Sequence, residues 1–232
     1  ETTGRVAFAL RPTSDLNLRG AIATGYRAPS IDELLGQYPG AFAFSGNPNL
    51  KPETSLTYEL GADYWSPAGW EASATIFNSN IDKLITYQYA SPTSSLINVS
   101  GKSLRRGLEL GGRAKISKIL ELFGSYTKTE ANDANGTQLR RVPTGDLMVG
   151  LTADLSDRLT TKLSATSVSG RANDSGVKMA DYTLISSNIN YAFSDTKEIY
   201  FRIENLLDEQ YQTAAGYGTS DRAFYIGFRA SY

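Results

Sequence analysis

Apolar and polar residues alternate along this chain with a period of two, segment after segment. From Ser55 to Trp65, Leu56, Tyr58, Leu60, Ala62 and Tyr64 are apolar or aromatic, while Thr57, Glu59, Gly61 and Asp63 are polar or small. Ile199, Phe201 and Ile203 alternate with Tyr200, Arg202 and Glu204, and Phe224, Ile226, Phe228, Ala230 and Tyr232 with Tyr225, Gly227, Arg229 and Ser231. Successive side chains of a strand point to opposite faces, so such runs read as strands with one apolar face. Similar runs begin near Arg5, Asp15, Trp70, Leu104, Ile119, Asp146, Leu159 and Asp181. The pattern predicts eleven strands. Most run roughly 8–13 residues, long enough to cross a bilayer when tilted, where strands of soluble proteins typically have about 5–6.

The connections set the architecture. Pro12 to Ser14, Ser66 to Gly69, Ser117 to Lys118, Ser156 to Asp157 and Ser194 to Lys197 read as short turns. Between them fall long loops: Arg27 to Glu53, Gln88 to Lys102, Ala131 to Pro143, Gly170 to Ala180 and Asp208 to Arg222. Strict alternation of short and long predicts an antiparallel up-and-down meander with tight turns on one rim and large loops on the other. That is the layout of a transmembrane β-barrel. The first loop also contains a helix-like patch, Ser30 to Leu35.

Charge divides the two strand faces. One face carries Asp15, Asn17, Arg19, Glu59, Asp63, Arg105, Glu109, Arg113, Lys115, Arg202, Glu204 and Arg229. The other carries almost none, Arg106 being the main exception. A lumen accommodates the first face and lipid the second. Eleven is an awkward count, because single-chain bacterial barrels have even numbers and an open edge leaves backbone groups that lipid cannot satisfy. Residues 1–232 are therefore expected to be the C-terminal portion of a larger barrel domain.

Composition removes other classes. There is no cysteine and no histidine, which excludes a disulfide framework, thiolate metal sites and the commonest general base. A net charge of −1 gives no reason to expect nucleic acid. No apolar run reaches the roughly 18 residues of a transmembrane helix. No serine has a histidine base, and no glycine-rich phosphate loop leads from strand to helix, so no enzyme is expected. Other readings of the same residues are a smaller outer-membrane barrel enzyme, an autotransporter translocator, or a soluble carbohydrate-binding β-sandwich. Detergent-dependent solubility separates the sandwich from the barrels.

Three motifs carry a family resemblance. "GYRAPSIDELLG" followed by "GNPNLKPETSLTYELG", the loop-to-strand element "GTQLRRVP", and the terminal "RIENLLDEQYQTAAGYGTSDRAFYIGFRASY" together resemble the TonB-dependent outer-membrane receptors. The likeness runs in order along essentially the whole chain. Leu207 stands where the family usually has Phe, and Tyr232 where a terminal Phe is commoner. The resemblance implies a 22-stranded barrel around an N-terminal plug, with about half the barrel here and the plug absent from this chain. It implies active transport across the outer membrane, energy from the TonB complex through the plug, and contact with membrane lipid and lipopolysaccharide. Within the family, the brief C-terminal loop is most similar to members that carry cobalamin, with ferric siderophores the next choice. No cofactor or resident metal is implied.

Candidate ligand contacts sit on the loop rim: Tyr26, Arg27, Gln37 and Tyr38 in the first loop, Tyr87 and Tyr89 in the second, Tyr211 and Tyr217 in the last. The resemblance adds Arg140, the first arginine of "QLRR", with Arg141 expected to face away. Bland readings accompany each. "NPNLKPE" is turn chemistry, since each proline disfavours helix at the residue before it. The tyrosines suit an interfacial girdle, and Arg140 suits a rim charge paired to lipopolysaccharide phosphate. Asn205 and Asp208 read as local caps. "EANDAN", Glu130 to Asn135, has the oxygens for calcium but not the spacing of an EF-hand loop.

Overall fold

The computed structural model describes residues 2–40, 43–89, 93–173 and 175–231. In chain order the elements are β1 (Arg5–Thr13), β2 (Leu16–Arg27), α1 (Ile31–Leu35), β3 (Gln37–Tyr38), β4 (Ala43–Ser45), β5 (Glu53–Trp65), β6 (Trp70–Asp82), β7 (Ile85–Gln88), β8 (Thr93–Asn98), β9 (Lys102–Lys115), β10 (Leu120–Asn132), β11 (Gly145–Ser156), β12 (Leu159–Ser169), β13 (Tyr182–Ser194), β14 (Lys197–Glu204) and β15 (Ala223–Ala230). Eleven of them form one antiparallel sheet in the order β1-β2-β5-β6-β9-β10-β11-β12-β13-β14-β15, each strand beside its successor along the meander. The alternation pattern places the start of all eleven within two residues. Tyr232, read from the sequence as the aromatic end of the last strand, lies outside the described residues.

The turn rim has a common chemistry. In all five tight turns a hydroxyl accepts the amide two residues on: Thr13 from Asp15, Ser66 from Ala68, Ser117 from Ile119, Ser156 from Arg158 and Ser194 from Thr196, at 3.1–3.4 Å. A side-chain oxygen thereby replaces a backbone carbonyl in closing the chain reversal.

Cross-strand register fixes the two faces. Arg19, Gly61, Thr75, Glu109, Thr127 and Asp146 are successive partners in one row. On this face the charges pair: Arg19 with Asp63 at 3.3 Å, Arg113 with Glu71 at 2.7 Å, and Arg229 with Glu198. The neighbouring row runs Phe8, Gly20, Leu60, Ile76 and Leu108. Its large side chains stay exposed, Leu60 at 54% and Ile76 at 55%. The buried hydrophobics are few and mostly lie towards the loop rim, Leu50, Leu96, Val99, Ala131 and Ala172 among them. A sheet with one uncovered apolar face and one charge-paired face suits lipid on the first and a polar lumen on the second.

The long connections are more ordered than the sequence suggested. The sequence puts loops at Arg27 to Glu53, apart from the helix patch, and at Gln88 to Lys102; residues 28–52 and 83–101 contain β3, β4, β7 and β8, which form a second sheet in the order β3-β4-β8-β7. The contact between the two loops is parallel, Ala43 with Thr93 and Phe44 with Ser94. These strands have 2–6 residues, too short for periodicity to signal. The helix patch is real: Ser30 caps α1 in a reciprocal capping box with Glu33.

Candidate ligand-binding rim

Two clusters occupy the loop rim. The first is built on residues 28–52 and 83–101. Arg27, at the end of β2, donates to Glu33 at 2.5 Å and to Glu53 at 3.3 Å. Glu33 Oε2 accepts the Ser30 amide at 2.7 Å. Partial burial pushes the Glu33 carboxyl up, but the Ser30 amide and the Arg27 guanidinium outweigh it, and the net position is below the ordinary carboxylate value. Two carboxamides join the loops. Asn47 Nδ2 donates to Leu96 O at 2.9 Å, while Asn98 accepts the Lys51 amide at 2.7 Å and donates to the carbonyls of Lys51 and Lys83. "NPNLKPE" is thus a structural corner, the bland reading of its turn chemistry.

On this frame stands a ladder of rings. Tyr38 stacks on Phe44 at 5.9 Å, Phe44 meets Tyr87 at 6.1 Å, and Tyr87 stacks on Tyr89 at 5.8 Å. Arg140, from the β10–β11 connection, places its guanidinium 4.6 Å from the Tyr89 ring centre. Three loops therefore share one aromatic surface ended by a cation, an attractive arrangement for a ring face. The Tyr38 hydroxyl donates to Asp32 at 2.5 Å. That bond and the Asp32 charge raise the phenol's pKa above its ordinary value.

The second cluster joins residues 170–181 to 205–222. Arg171 is only 5% exposed. Its guanidinium donates to Gln212 O and Ala180 O, both at 2.7 Å, and lies 4.6 Å from the Tyr182 ring centre. Tyr182 packs on Tyr211 at 4.7 Å. Beside them opens a cavity of about 530 Å³ lined by Lys178, Asp181, Tyr182, Tyr211 and Gln212. Gln138 ties the clusters' margins together, donating to Val142 O and Gly170 O.

The expected contacts separate into groups. Tyr38, Tyr87, Tyr89 and Arg140 come together in the ladder. Gln37 lies beside it on the opposite strand face, bonded to Ser45 at 2.9 Å. Arg27 is held in the carboxylate fork. Tyr26 pairs with Thr54 in the row above Ile22 and Tyr58, on the outward face, which suits a girdle aromatic. Tyr211 lines the second cavity, and Tyr217 is 70% exposed nearby. Arg140 and Arg141 occupy a turn rather than a strand top, with φ +60 at Arg141, so strand alternation cannot assign their directions. Asp133 Oδ1 accepts the amides of Asn135 and Thr137, both at 2.9 Å, which gives "EANDAN" a turn role. Asn205 and Asp208 are local caps: Asn205 accepts the Glu209 amide and Asp208 the Arg222 amide, each at 2.8 Å. Among the described residues no group of three metal-ligating side chains occurs. Phe44, Asp32, Arg171 and Tyr182 escaped sequence reading. The alternation in "FAFS" hints at Phe44, whereas nothing around Arg171 sets it apart.

The family profile described as TonB dependent receptor-like, beta-barrel, matches residues 1–206. The chain is 27% identical to the iron-regulated outer membrane virulence protein of Vibrio cholerae serotype O1 over 93% of its length and 37% of that protein. It is 26% identical to the vitamin B12 transporter BtuB of Vibrio cholerae over 97% of its length and 36% of that protein. The chain thus spans little more than a third of these relatives. Among solved structures, the copper transporter OprC superposes with a TM-score of 0.84 at 17% identity, covering 99% of this chain and 39% of that one. A ferric enterobactin receptor of Pseudomonas aeruginosa gives 0.80 at 20% identity, covering 99% and 40%. These superpositions establish the fold.

Proposed function

Because this chain belongs to the TonB-dependent receptor β-barrel family of the outer membrane, we propose that it is the C-terminal portion of such a receptor's barrel, taking up a scarce, large ligand with energy from the TonB complex. β1 and β15 each pair on one side only in the described sheet. Lipid cannot satisfy open edges, so partner strands complete the barrel, and a plug carries the coupling to TonB. No bond is made or broken in this cycle; the ligand is captured at the rim and released through the lumen.

The observation that carries the reading is the ladder Tyr38–Phe44–Tyr87–Tyr89 with Arg140 at its end. A continuous aromatic surface with one donor fork suits a broad ligand that has flat faces and hydrogen-bond acceptors. Charge favours cobalamin, a large molecule fringed with amides. The five long loops carry eight basic and eight acidic residues, so no strong positive field awaits an anion. A ferric siderophore is the second reading, supported by the Arg140 charge itself. Equilibrium binding of cobalamin and of a ferric siderophore to the full-length receptor tests the choice. Cobalamin binding, with uptake lost in cells lacking TonB, is the expected result. Siderophore binding without cobalamin binding rejects the substrate and keeps the family.

A further inference from the structure

The cavity of the second cluster, about 530 Å³, has no part in the aromatic ladder. Its polar groups are only half engaged. Asp181 Oδ1 accepts the Gly170 amide at 2.8 Å, Gln210 Nε2 donates to Asp221 at 3.0 Å, and Gln212 Oε1 accepts the Gly216 amide at 3.1 Å. Asp181 Oδ2 and Gln210 Oε1 are left as acceptors and Gln212 Nε2 as a donor. Lys178 Nζ and the hydroxyls of Tyr182 and Tyr211 make no hydrogen bond among the described residues. The charged side chains of the lining are one lysine and one aspartate. A site for an anion or a cation holds a surplus of the opposite charge; this one is balanced. The rings of Tyr182 and Tyr211, 4.7 Å apart and tilted by 43°, add apolar faces to the same wall. Arg171 sets the wall in advance, through the carbonyls of Ala180 and Gln212 and its contact with the Tyr182 ring, which lowers the ordering cost of binding.

We propose that this cavity holds one neutral, polyhydroxylated ring, a sugar. Such a ring lays its C–H face on the tyrosines. Its hydroxyls donate to Asp181 Oδ2 and Gln210 Oε1 and accept from Lys178 and Gln212, since each hydroxyl does both. An aliphatic chain would leave the polar groups desolvated and unpaired, at a cost for each. The volume lies in the range of small-ligand pockets, roughly 300–1,000 Å³. The proposal uses the family placement, which turns the long loops outwards, and holds whichever large ligand the ladder takes. The ring arrives as a free saccharide or as a glycosyl part of the transported ligand; the hydroxyl chemistry is the same.

The full-length receptor, in a detergent without a sugar headgroup, is mixed with the methyl glycosides of glucose, galactose, mannose and ribose, and saturation-transfer NMR reads contact with the ring protons. Transfer to at least one glycoside is expected, with less to gluconate and to glucosamine, whose charges upset the balance of Lys178 and Asp181. Asp181→Asn keeps an oxygen for the Gly170 amide and removes one charged acceptor, so it should weaken the best glycoside roughly tenfold. Lys178→Gln, at an exposed side chain, should weaken it as well with the fold unaltered. Displacement of that glycoside by cobalamin would assign the ring to the transported ligand, and joint binding would assign it to a separate saccharide; each upholds the site. No transfer to any glycoside, equal transfer in wild type and both variants, or strongest transfer to gluconate overturns it. Cobalamin titration of the same samples is read separately, so a receptor that contacts the glycoside without binding cobalamin rejects the choice of transported ligand alone.

Discussion

The two rim clusters hold their loops by different means. The first joins 28–52 to 83–101 through a parallel strand contact, two carboxamides and the Phe44–Tyr87 ring contact, so the load is spread over many weak links. The second joins 170–181 to 205–222 chiefly through the one buried guanidinium of Arg171, which donates to Gln212 O and Thr213 O. Distributed contacts resist single substitutions, because each is worth little and its neighbours persist. A buried charged donor is the opposite case. Its removal strands carbonyls that have already left water, and the cost falls at one residue.

Arg171→Ala should therefore have the largest effect. Hydrogen bonds from a charged donor are worth about 1.5–3 kcal/mol each, and those to Gln212 O at 2.7 Å and Thr213 O at 3.3 Å are lost together with the contact to Tyr182. Some water will enter, so a loss of about 3 kcal/mol in closure of the 205–222 segment is expected, roughly a hundredfold faster amide exchange at Tyr217 and Arg222. The barrel strands should stay protected. Arg171→Lys should recover only part, since an ammonium cannot reproduce the planar fork. Equal protection in wild type and Arg171→Ala would show that the second cluster is distributed too.

The matching test of the first cluster is Asn98→Ala. It removes three neutral hydrogen bonds, to Lys51 N, Lys51 O and Lys83 O. Neutral bonds contribute about 0.5–1.5 kcal/mol each and the site is open to water, so about 2 kcal/mol or less is expected. Faster exchange at Val99, whose amide bonds to Leu84 O, should report it, while the Phe44–Ser94 pairing remains. Exchange that spreads through β3, β4, β7 and β8 together would mean that Asn98 is the single pin of this cluster, as Arg171 is of the other.

How far each cluster was legible in the sequence follows the same division. The barrel strands announce themselves because a period of two persists for about a dozen residues, and the lumen charges share that period. In the first cluster Tyr38, Tyr87, Tyr89 and Arg140 could be nominated because aromatics and a doubled arginine at a rim suggest contact. Their assembly into one ladder could not be read, since it depends on β4 meeting β8 across some fifty residues of chain in strands of 3 and 6 residues. Arg171 carried no signal at all. Its role comes from where the three carbonyls of Ala180, Gln212 and Thr213 converge, and a lone arginine beside a glycine has no pattern to betray that. Tyr26 shows the reverse error of scale: its residue type fitted a ligand contact, but register sets it on the outward face.

A smaller effect is expected at Arg140, the end of the ladder. A cation over an aromatic ring contributes about 0.5–1 kcal/mol where exposed, and a charge-assisted bond to ligand adds about 1.5–3 kcal/mol when water is excluded. With partial screening, Arg140→Ala in the full-length receptor should weaken cobalamin binding roughly tenfold, or about 1.4 kcal/mol, and leave the barrel intact. Arg141→Ala is the comparison, expected to change affinity less because the ring contact belongs to Arg140. Equilibrium titration decides: unchanged affinity in Arg140→Ala removes the ladder's cation from the site, and equal losses in both variants would spread the role over the pair.

The smallest effect separates the clusters by pH. Glu33 has its folded-state pKa lowered, so its contribution is present above its ordinary value of about 4.5 and is lost as pH falls through the lowered folded value. Tyr38 has its pKa raised by Asp32, so its contribution is present below the phenol's ordinary value near 10 and is lost as pH rises through the raised one. Residues 28–52 should accordingly hold a plateau between these limits and loosen at either end. The acid limb should vanish in Glu33→Gln and the alkaline limb in Tyr38→Phe. The second cluster hangs on the Arg171 guanidinium, so the acid limb should be absent there. The measurement is the ratio of amide exchange protection at Gly46 to that at Met179 from pH 3.5 to 6, with tyrosine ultraviolet absorbance following the alkaline side. A flat ratio in the wild type would mean that the carboxylate fork around Arg27 contributes nothing to holding the ladder, leaving the strand contact and the carboxamides as its whole support.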